Sequence, residues 1–582
     1  MGNKASRTRA PVRAATSAVN VAPHVLFNPH LMHVVASFQD GIYPDMATFP
    51  ALRKLHSLKQ LVLHQTSRAT RDQFLHDVQV AHNVLTSWYA VEGLDRIEVL
   101  CRCLPFMRDV IVVHAVCTAN MDVLDHLHAA VGGIRSFRGY LINLAAQENR
   151  LDVVAYLHNH GHMGYSIHAV FHACFNANLP MVQFLYVQYP QLEFSVDTTL
   201  WALFGGAMPV VRFLVDNHLA AWSPNALDIP AGRGNLALVE YLHVLGVGAT
   251  TAAINYAASN GHLTMVQWLH VHRTDGATTA AMDMSARHGH LDMVQWLHWH
   301  REEGCTTAAM DGAAANGYLD VVQWLHAFRR EGCTTMAMND AAGGGHLEVV
   351  QWLHVHRNEG CSGHAATLAA EHGHLHVLVW LHRERRDAGG CDHSALLAAA
   401  ENNHLHVVHW LVREHRRWRL SVDVLRGPAA EGHLDMVQLL HRYCSRHHAP
   451  LDVSWAVQTG QLHVLQWLRP RRKLTCSTFA VETAALDGHL GSVKWWHQHM
   501  GHTQTLSDNI LRWPAQAGHM DIVKWLLSHR PHEGCPHVAA IAAADNGHDD
   551  IADILRAVKR PAACGADCRD CAQSRRRREA AR

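Results

Sequence analysis

His290-Leu291-Asp292-Met293-Val294-Gln295-Trp296-Leu297-His298 decides how this chain is read, because the stretch returns, lightly edited, along most of the sequence. Residues 261–270 read GHLTMVQWLH, residues 317–326 GYLDVVQWLH and residues 345–354 GHLEVVQWLH. Tryptophans stand at Trp268, Trp296, Trp324, Trp352 and Trp380, each step being 28 residues. Self-similarity at a fixed period in this range is the mark of a repeat architecture. The Trp296 position continues downstream as Trp410, Leu439, Trp467, Trp495, Trp525 and Ile554, and upstream as Tyr241, Phe213, Phe184, Tyr156, His126 and Val99. Seventeen copies result, with steps of 27 to 30 residues.

Each copy reads as two short helices. In residues 305–330, Thr306 and Thr307 are candidate N-caps, since a hydroxyl accepts from an orphan N–H of the first turn. Ala308 to Ala315 is small and helix-favouring. Asn316-Gly317 ends that helix, because glycine tolerates the left-handed closing conformation. A second helix begins near Leu319-Asp320, with the carboxylate at the positive end of the helix dipole. Asp292, Glu348, Asp435 and Asp521 repeat that placement. Val321, Val322, Trp324 and Leu325 cover a broad apolar arc, which suits a helix wedged between neighbours. The alanine pair Ala313-Ala314 recurs as Ala341-Ala342, Ala369-Ala370, Ala399-Ala400 and Ala484-Ala485, and allows first helices to approach closely.

Residues 341–353, AAGGGHLEVVQWL, resemble the back half of an ankyrin repeat: an alanine pair, two variable residues, Gly-His, then the second helix. The resemblance covers about four-fifths of the chain. It departs from the family in period, mostly 28 residues against about 33. It departs also in the first-helix opening, which reads Met336-Ala337-Met338-Asn339 or Ala308-Ala309-Met310-Asp311 where the family has T-P-L-H. The missing residues would come from the β-hairpin between units. The expected fold is all-α: a solenoid of about 17 stacked helix-turn-helix ankyrin-like repeats with little or no β-structure.

The expected organisation is a disordered basic N-terminus at 1–25, a helical cap at 26–74, the array at 75–560 and a disordered Cys/Arg-rich tail at 561–582. Lys+Arg and Asp+Glu balance at 50 each, so global charge points to no nucleic acid or acidic partner. No apolar run reaches membrane-spanning length, and the start lacks the apolar core of a secretory signal. Met1-Gly2-Asn3-Lys4-Ala5-Ser6 matches the myristoylation pattern, with Gly2 as acceptor and nearby basic residues as a second membrane signal. Its Arg-rich, acid-poor composition also fits a transit peptide or a plain tail. Residues 26–38, LFNPHLMHVVASF, faintly resemble the opening helix of an F-box, which would imply recruitment to a ubiquitin ligase; a simple capping helix is the plainer reading. The run Arg575-Arg576-Arg577-Arg578 reads as a solvated tail.

The 52 histidines invite a metal reading. Most occupy repeat positions, one set after the loop glycine (His262, His290, His346, His374) and one ending the second helix (His270, His298, His326, His354). Equivalent residues in stacked helices sit about 9–10 Å apart, beyond the roughly 4 Å between ligands of one zinc. The loop set is expected to bond backbone carbonyls. His404, His406 and His409 form the one local cluster. Cys305, Cys333, Cys361, Cys391, Cys476 and Cys535 form a ladder too widely spaced for disulfides, and are expected as small buried residues. Cys564, Cys568 and Cys571 resemble the cluster motif of radical enzymes, without the barrel that holds such a cluster. The tryptophan ladder is expected in the core, and no cofactor is expected.

The function expected is a non-enzymatic scaffold that binds protein partners as a monomer in the cytoplasm, with attachment to a membrane through Gly2 and a nuclear location as alternatives. The repeat frame is constant while the connectors vary, so candidate partner contacts are Arg273, Glu302, Arg329, Arg330, Arg357, Arg383, Arg385 and Arg386.

Overall fold

The computed structural model describes Met46, Phe49, Leu52 and residues 68–558, apart from 131–132, 138, 385–390, 416–417, 419, 445–449, 502–503 and 508. Gly2, Arg385, Arg386, Cys564, Cys568, Cys571 and the four-arginine run lie outside the described residues, as does most of the segment 26–74. The described residues hold thirty-four α-helices, in seventeen successive pairs. The chain divides into two compact units, Met1–Ala253 and Ile254–Arg582.

The first unit opens with the long helix Arg68–Glu92 and the short Ile97–Cys103. Phe49 packs edge-on against Trp88 of the long helix at 5.4 Å between ring centres. Four pairs follow, from Met107–Thr118 with Met121–Ala130 to Val196–Gly205 with Met208–Asp216. A shorter pair, Asp228–Gly232 with Leu236–Val244, comes next. The first helices stack on one another through Ala145, Ala146, Ala169, Ala173 and Ala202, all with no exposed surface.

The second unit repeats the scheme more regularly. Its clearest pairs are Thr307–Ala315 with Leu319–Phe328, and Thr335–Gly343 with Leu347–His356. Ala313, Ala314, Ala341 and Ala342 are fully buried, as the recurring alanine pair requires for close helix approach. Val321, Val322 and Leu325 fill the layer between first and second helices. At the turn, Gly317 has φ of 81°, and an added Cβ would lie 2.5 Å from Nδ1 of His346 in the next repeat. Glycine is therefore required twice, by backbone conformation and by close approach. Among the described residues the β-structure is two residues on each side, β1 (Leu451–Asp452) paired in parallel with β2 (Leu474–Thr475), and one isolated bridge, Leu420 to Cys444.

The N-caps are held from the preceding repeat. Thr306 caps helix Thr307–Ala315 by accepting from Ala308 N–H. Its own N–H and hydroxyl donate to the two carboxylate oxygens of Asp283, at 2.8 and 2.9 Å. Asp311 holds Thr334 in the same way, at 2.8 Å for both bonds. Asn255 holds Thr278 and Asn339 holds Ser362, the amide accepting from the backbone and donating to the hydroxyl. In the first unit Asp228 does this for Thr250 and Asn143 for Ser166. These acceptors stand where the T-P-L-H opening would end, so one residue type substitution converts that position into an inter-repeat clamp.

Asp311→Ala should lower stability by about 1–2 kcal/mol, because the Thr334 N–H and hydroxyl lose their acceptor. Asp311→Asn should lie within about 0.5 kcal/mol of the wild type, since an amide serves at the equivalent site. Chemical denaturation of the three proteins checks both; equal loss in the two variants would contradict the clamp.

Candidate interaction surface

The connectors carry a second clamp. Arg273 pairs with Asp275 at 2.8 Å, Arg301 with Glu303 at 3.2 Å, Arg329 with Glu331 at 3.3 Å and Arg357 with Glu359 at 3.2 Å, each through the guanidinium Nε or a neighbouring N–H. The arginine then reaches back one repeat. Arg301 Nη1 donates to Nδ1 of His270 at 3.1 Å, Arg329 to His298 at 3.2 Å and Arg357 to His326 at 3.4 Å. The worn copies keep the joint: Arg472 donates to His441 at 3.3 Å and Arg530 to His497 at 3.4 Å. Arg530 adds bonds to the carbonyls of Gly501 and Gln504 and to Glu533.

These placements revise the reading of Arg273, Arg329 and Arg357 as exposed partner contacts. Their side chains are only 15 to 22% exposed and already hold a carboxylate. The planar fork of arginine holds a carboxylate and an imidazole in fixed directions, which the rotatable ammonium of a lysine does not impose. Glu302, Arg330 and Arg383 are exposed, and remain available to a partner. Arg385 and Arg386 lie outside the described residues.

The same histidines organise the tryptophans. His270 meets Trp296 edge-on at 5.4 Å, His298 meets Trp324 at 5.2 Å, His326 meets Trp352 at 5.2 Å and His354 meets Trp380 at 5.3 Å. Four of these tryptophans also stack on the residue one turn later: Trp268 on His272 at 4.5 Å, Trp296 on His300 at 4.6 Å, Trp324 on Phe328 at 4.9 Å and Trp352 on His356 at 4.4 Å. Nδ1 of His272, His300 and His356 donates to the tryptophan carbonyl, closing the helix C-terminus. The ladder is therefore half-buried rather than core, because the indole lies along the outer edge of the second helix. Trp495 and Trp496 are the exceptions, 4% and 0% exposed.

Burial, followed by the charge of Arg329, lowers the pKa of His298, while Glu331 acts in the opposite direction. Burial and then Arg472 and Arg471 lower that of His441. Both imidazoles are thus held neutral with a ring nitrogen accepting from arginine. The loop histidines behave differently. Nε2 of His404 donates to the carbonyl of Glu371 at 2.8 Å and that of His519 to Leu486 at 2.7 Å, each one repeat back. His406 bonds the carbonyl of Gly373 at 2.9 Å, so the cluster seen in sequence is divided among separate carbonyls. Among the described residues no three potential ligands converge on one metal position. Burial pushes the thiols of Cys305 and Cys333 up to about 11 and those of Cys391 and Cys476 up to about 12. Such thiols are inert small side chains rather than nucleophiles.

One first-helix position differs from repeat to repeat in residue type, and in several copies it is exposed. Five residues before the left-handed turn residue stand Trp201 in one copy of the first unit, and Tyr256, Met284, Gly312, Asp340, Leu368, Ala398, Gly427, Trp455, Thr483, Trp513 and Ala542 in the second unit, of which Gly312 and Thr483 are buried. Tyr256, Met284 and Trp455 are 52, 38 and 47% exposed. In the first unit Trp201 joins Phe175 and Phe204 in an exposed aromatic patch, with ring centres 5.7 and 6.2 Å apart. The variation at this position was present in the sequence but is meaningful only once the outward face is known. No described helix is long and apolar enough to cross a membrane.

A family model described as ankyrin repeats, three copies, matches residues 254–335. No curated protein matches the sequence. Among solved structures, the chain resembles the pentatricopeptide repeat protein PPR10 in complex with an 18-nt psaJ RNA element, with a TM-score of 0.33 and 11% identity over 86% of this chain and 88% of that one. A cysteine-substituted form of the same complex matches with the same figures.

Arg357→Ala should cost about 1–2 kcal/mol of stability, since Glu359 and His326 both lose a partner, whereas exposed Arg330→Ala should stay within about 0.5 kcal/mol. Thermal unfolding of the two variants checks this. The depressed pKa values of His298 and His441 imply that the unfolded chain binds protons more readily than the folded one. Their stability contribution is complete above the unfolded value of about 6.5 and is lost as pH falls below it. The melting temperature should fall from pH 7 to pH 5, and His298→Gln should reduce that slope; an unchanged slope would remove His298 from the explanation.

Proposed function

Since the chain carries ankyrin repeats at residues 254–335, we propose that it is a non-enzymatic scaffold that binds protein partners through the outward face of its first helices. Ankyrin and other helical repeats are binding frames, and the stacking of units leaves a continuous row of solvent-facing positions. The carrying observation is the contrast between positions. Core sites hold the same residue type copy after copy, as in Val294, Val322 and Val350. The varied site holds Tyr256, Met284, Gly312, Asp340, Leu368, Ala398, Gly427 and Trp455 in turn, with Tyr256, Met284 and Trp455 exposed. Packing explains the first set; the exposed large members of the second, Tyr256, Met284 and Trp455, suit recognition of a partner surface, where Trp and Tyr serve as anchors.

The connector residues Glu302, Arg330 and Arg383 flank this row as supplementary charged contacts. Such exposed charges would affect association rate and salt dependence more than residence time.

Affinity purification of the tagged full-length chain, followed by mass spectrometry, tests the reading. Wild type should retain one or a few proteins in defined proportion. Trp201→Ala or Tyr256→Ala should lower recovery of at least one by about tenfold, the usual cost of losing an aromatic anchor. The melting temperature should be unchanged, because neither side chain is in the core. Recovery unaffected by either substitution would overturn the assignment of this face.

A further inference from the structure

Among the described residues of the second unit, the first helices are not all of one length. Two consecutive first helices are short: Arg426–Glu431 has six residues and Ser454–Gln458 five, against nine in Thr307–Ala315. Pro428 occupies the alanine-pair position of its repeat, and the preceding turn Val422–Leu425 is a 3-10 helix. The equivalent position of that repeat is Gly427, between Ala398 of the preceding copy and Trp455 of the next. Beside the shortened helices lies a recess, a cavity of about 1000 Å³ across three repeats, whose lining includes Leu397, Glu401, Asp423, Arg426, Glu431 and Trp455, with the Glu401 side chain packed directly over Gly427.

Its chemistry is specific. Trp455 forms an aromatic wall, 47% exposed, and Leu397 an apolar one, 37% exposed. The guanidinium of Arg426 sits over the Trp455 ring at 5.7 Å, so this indole already receives a cation. That cation is loosely held: its partner Asp452 is 3.6 Å away, and both side chains are about half exposed. Asp452 offsets part of the Arg426 charge, and the lining adds the carboxylates of Glu401, Asp423 and Glu431 beside His393 and His433. An exposed indole among carboxylates favours a cationic side chain, through the ring quadrupole and through Coulomb attraction together.

We propose that this cavity anchors a partner protein by a short segment in which a lysine or arginine lies beside an apolar residue. The basic side chain takes the Trp455 face in place of Arg426, with Glu401 and Glu431 around it. The apolar neighbour lies against Leu397. The proposal rests on the scaffold reading and names the kind of segment that one part of the surface accepts.

The test uses the full-length chain and immobilised synthetic peptides of equal length in three sets: basic–apolar, acidic–apolar and neutral–apolar. Wild type should retain the basic–apolar set about tenfold better than the acidic one, a preference that weakens with salt. Glu401→Gln combined with Glu431→Gln should abolish the preference, and Trp455→Ala should lower basic–apolar binding by about tenfold. Val355→Ser, on an exposed site of a different helix end, should change nothing, and circular dichroism should be the same for every variant. Retention of basic peptides that survives both cavity variants overturns the proposal while leaving the scaffold reading intact, as does a preference for acidic peptides. Retention of no peptide of any set, together with no protein partner from the affinity purification, overturns both.

Discussion

Every helix end leaves N–H and C=O groups that its own backbone cannot satisfy, and in this chain the neighbouring repeat satisfies many of them. Asp283 and Asp311 receive the N-cap groups of the next copy. His404 and His519 reach back to carbonyls at the end of the preceding first helix. A single repeat would therefore expose both an apolar face and a set of orphan polar groups. Stacking removes both costs at once. That dependence also explains why the joint residues are polar in positions where one would expect packing alone to decide.

The connector clamp has the same logic with charges. An isolated exposed ion pair contributes little. Here Arg329 is largely enclosed, its carboxylate is two residues away in the same connector, and its remaining N–H meets an imidazole from the previous repeat. The arginine thus serves local and inter-repeat order together. The indole beside that imidazole completes the joint: edge-to-face aromatic contacts of this type add about 0.5–1.5 kcal/mol each. Repetition makes the total large even though each joint is modest.

Much of the fold was legible in the sequence because it is local. The period, the alanine pair, the N-cap threonine and the turn glycine all act within one copy, and Thr306, Ala313, Ala314 and Gly317 appear where the pattern places them. Contacts that cross between copies were not legible. Arg273, Arg329 and Arg357 looked like solvated connector charges because the histidine that receives each of Arg329 and Arg357 lies 31 residues earlier. The tryptophans looked like core residues because hydrophobicity does not record which edge of a helix is covered. The outward first-helix position was visible as variation, but only its orientation distinguishes a recognition row from relaxed packing. The cavity lies beside two shortened helices and is lined from three copies, which no single copy reveals.

The clamp that joins Asp283 to Thr306 spans 23 residues, and the one that joins Asp311 to Thr334 spans the same number. Each copy thus presents an acceptor forward and a donor backward in one fixed arrangement. The joints are interchangeable, like links in a chain. A duplication or excision of one whole unit would leave the clamp at the junction matched, and the Asp228–Thr250 pair, 22 residues apart, shows that a unit one residue shorter keeps it too. Such a gene can lengthen or shorten by unequal recombination with the joints intact, and each new link brings one fresh outward residue for selection to alter.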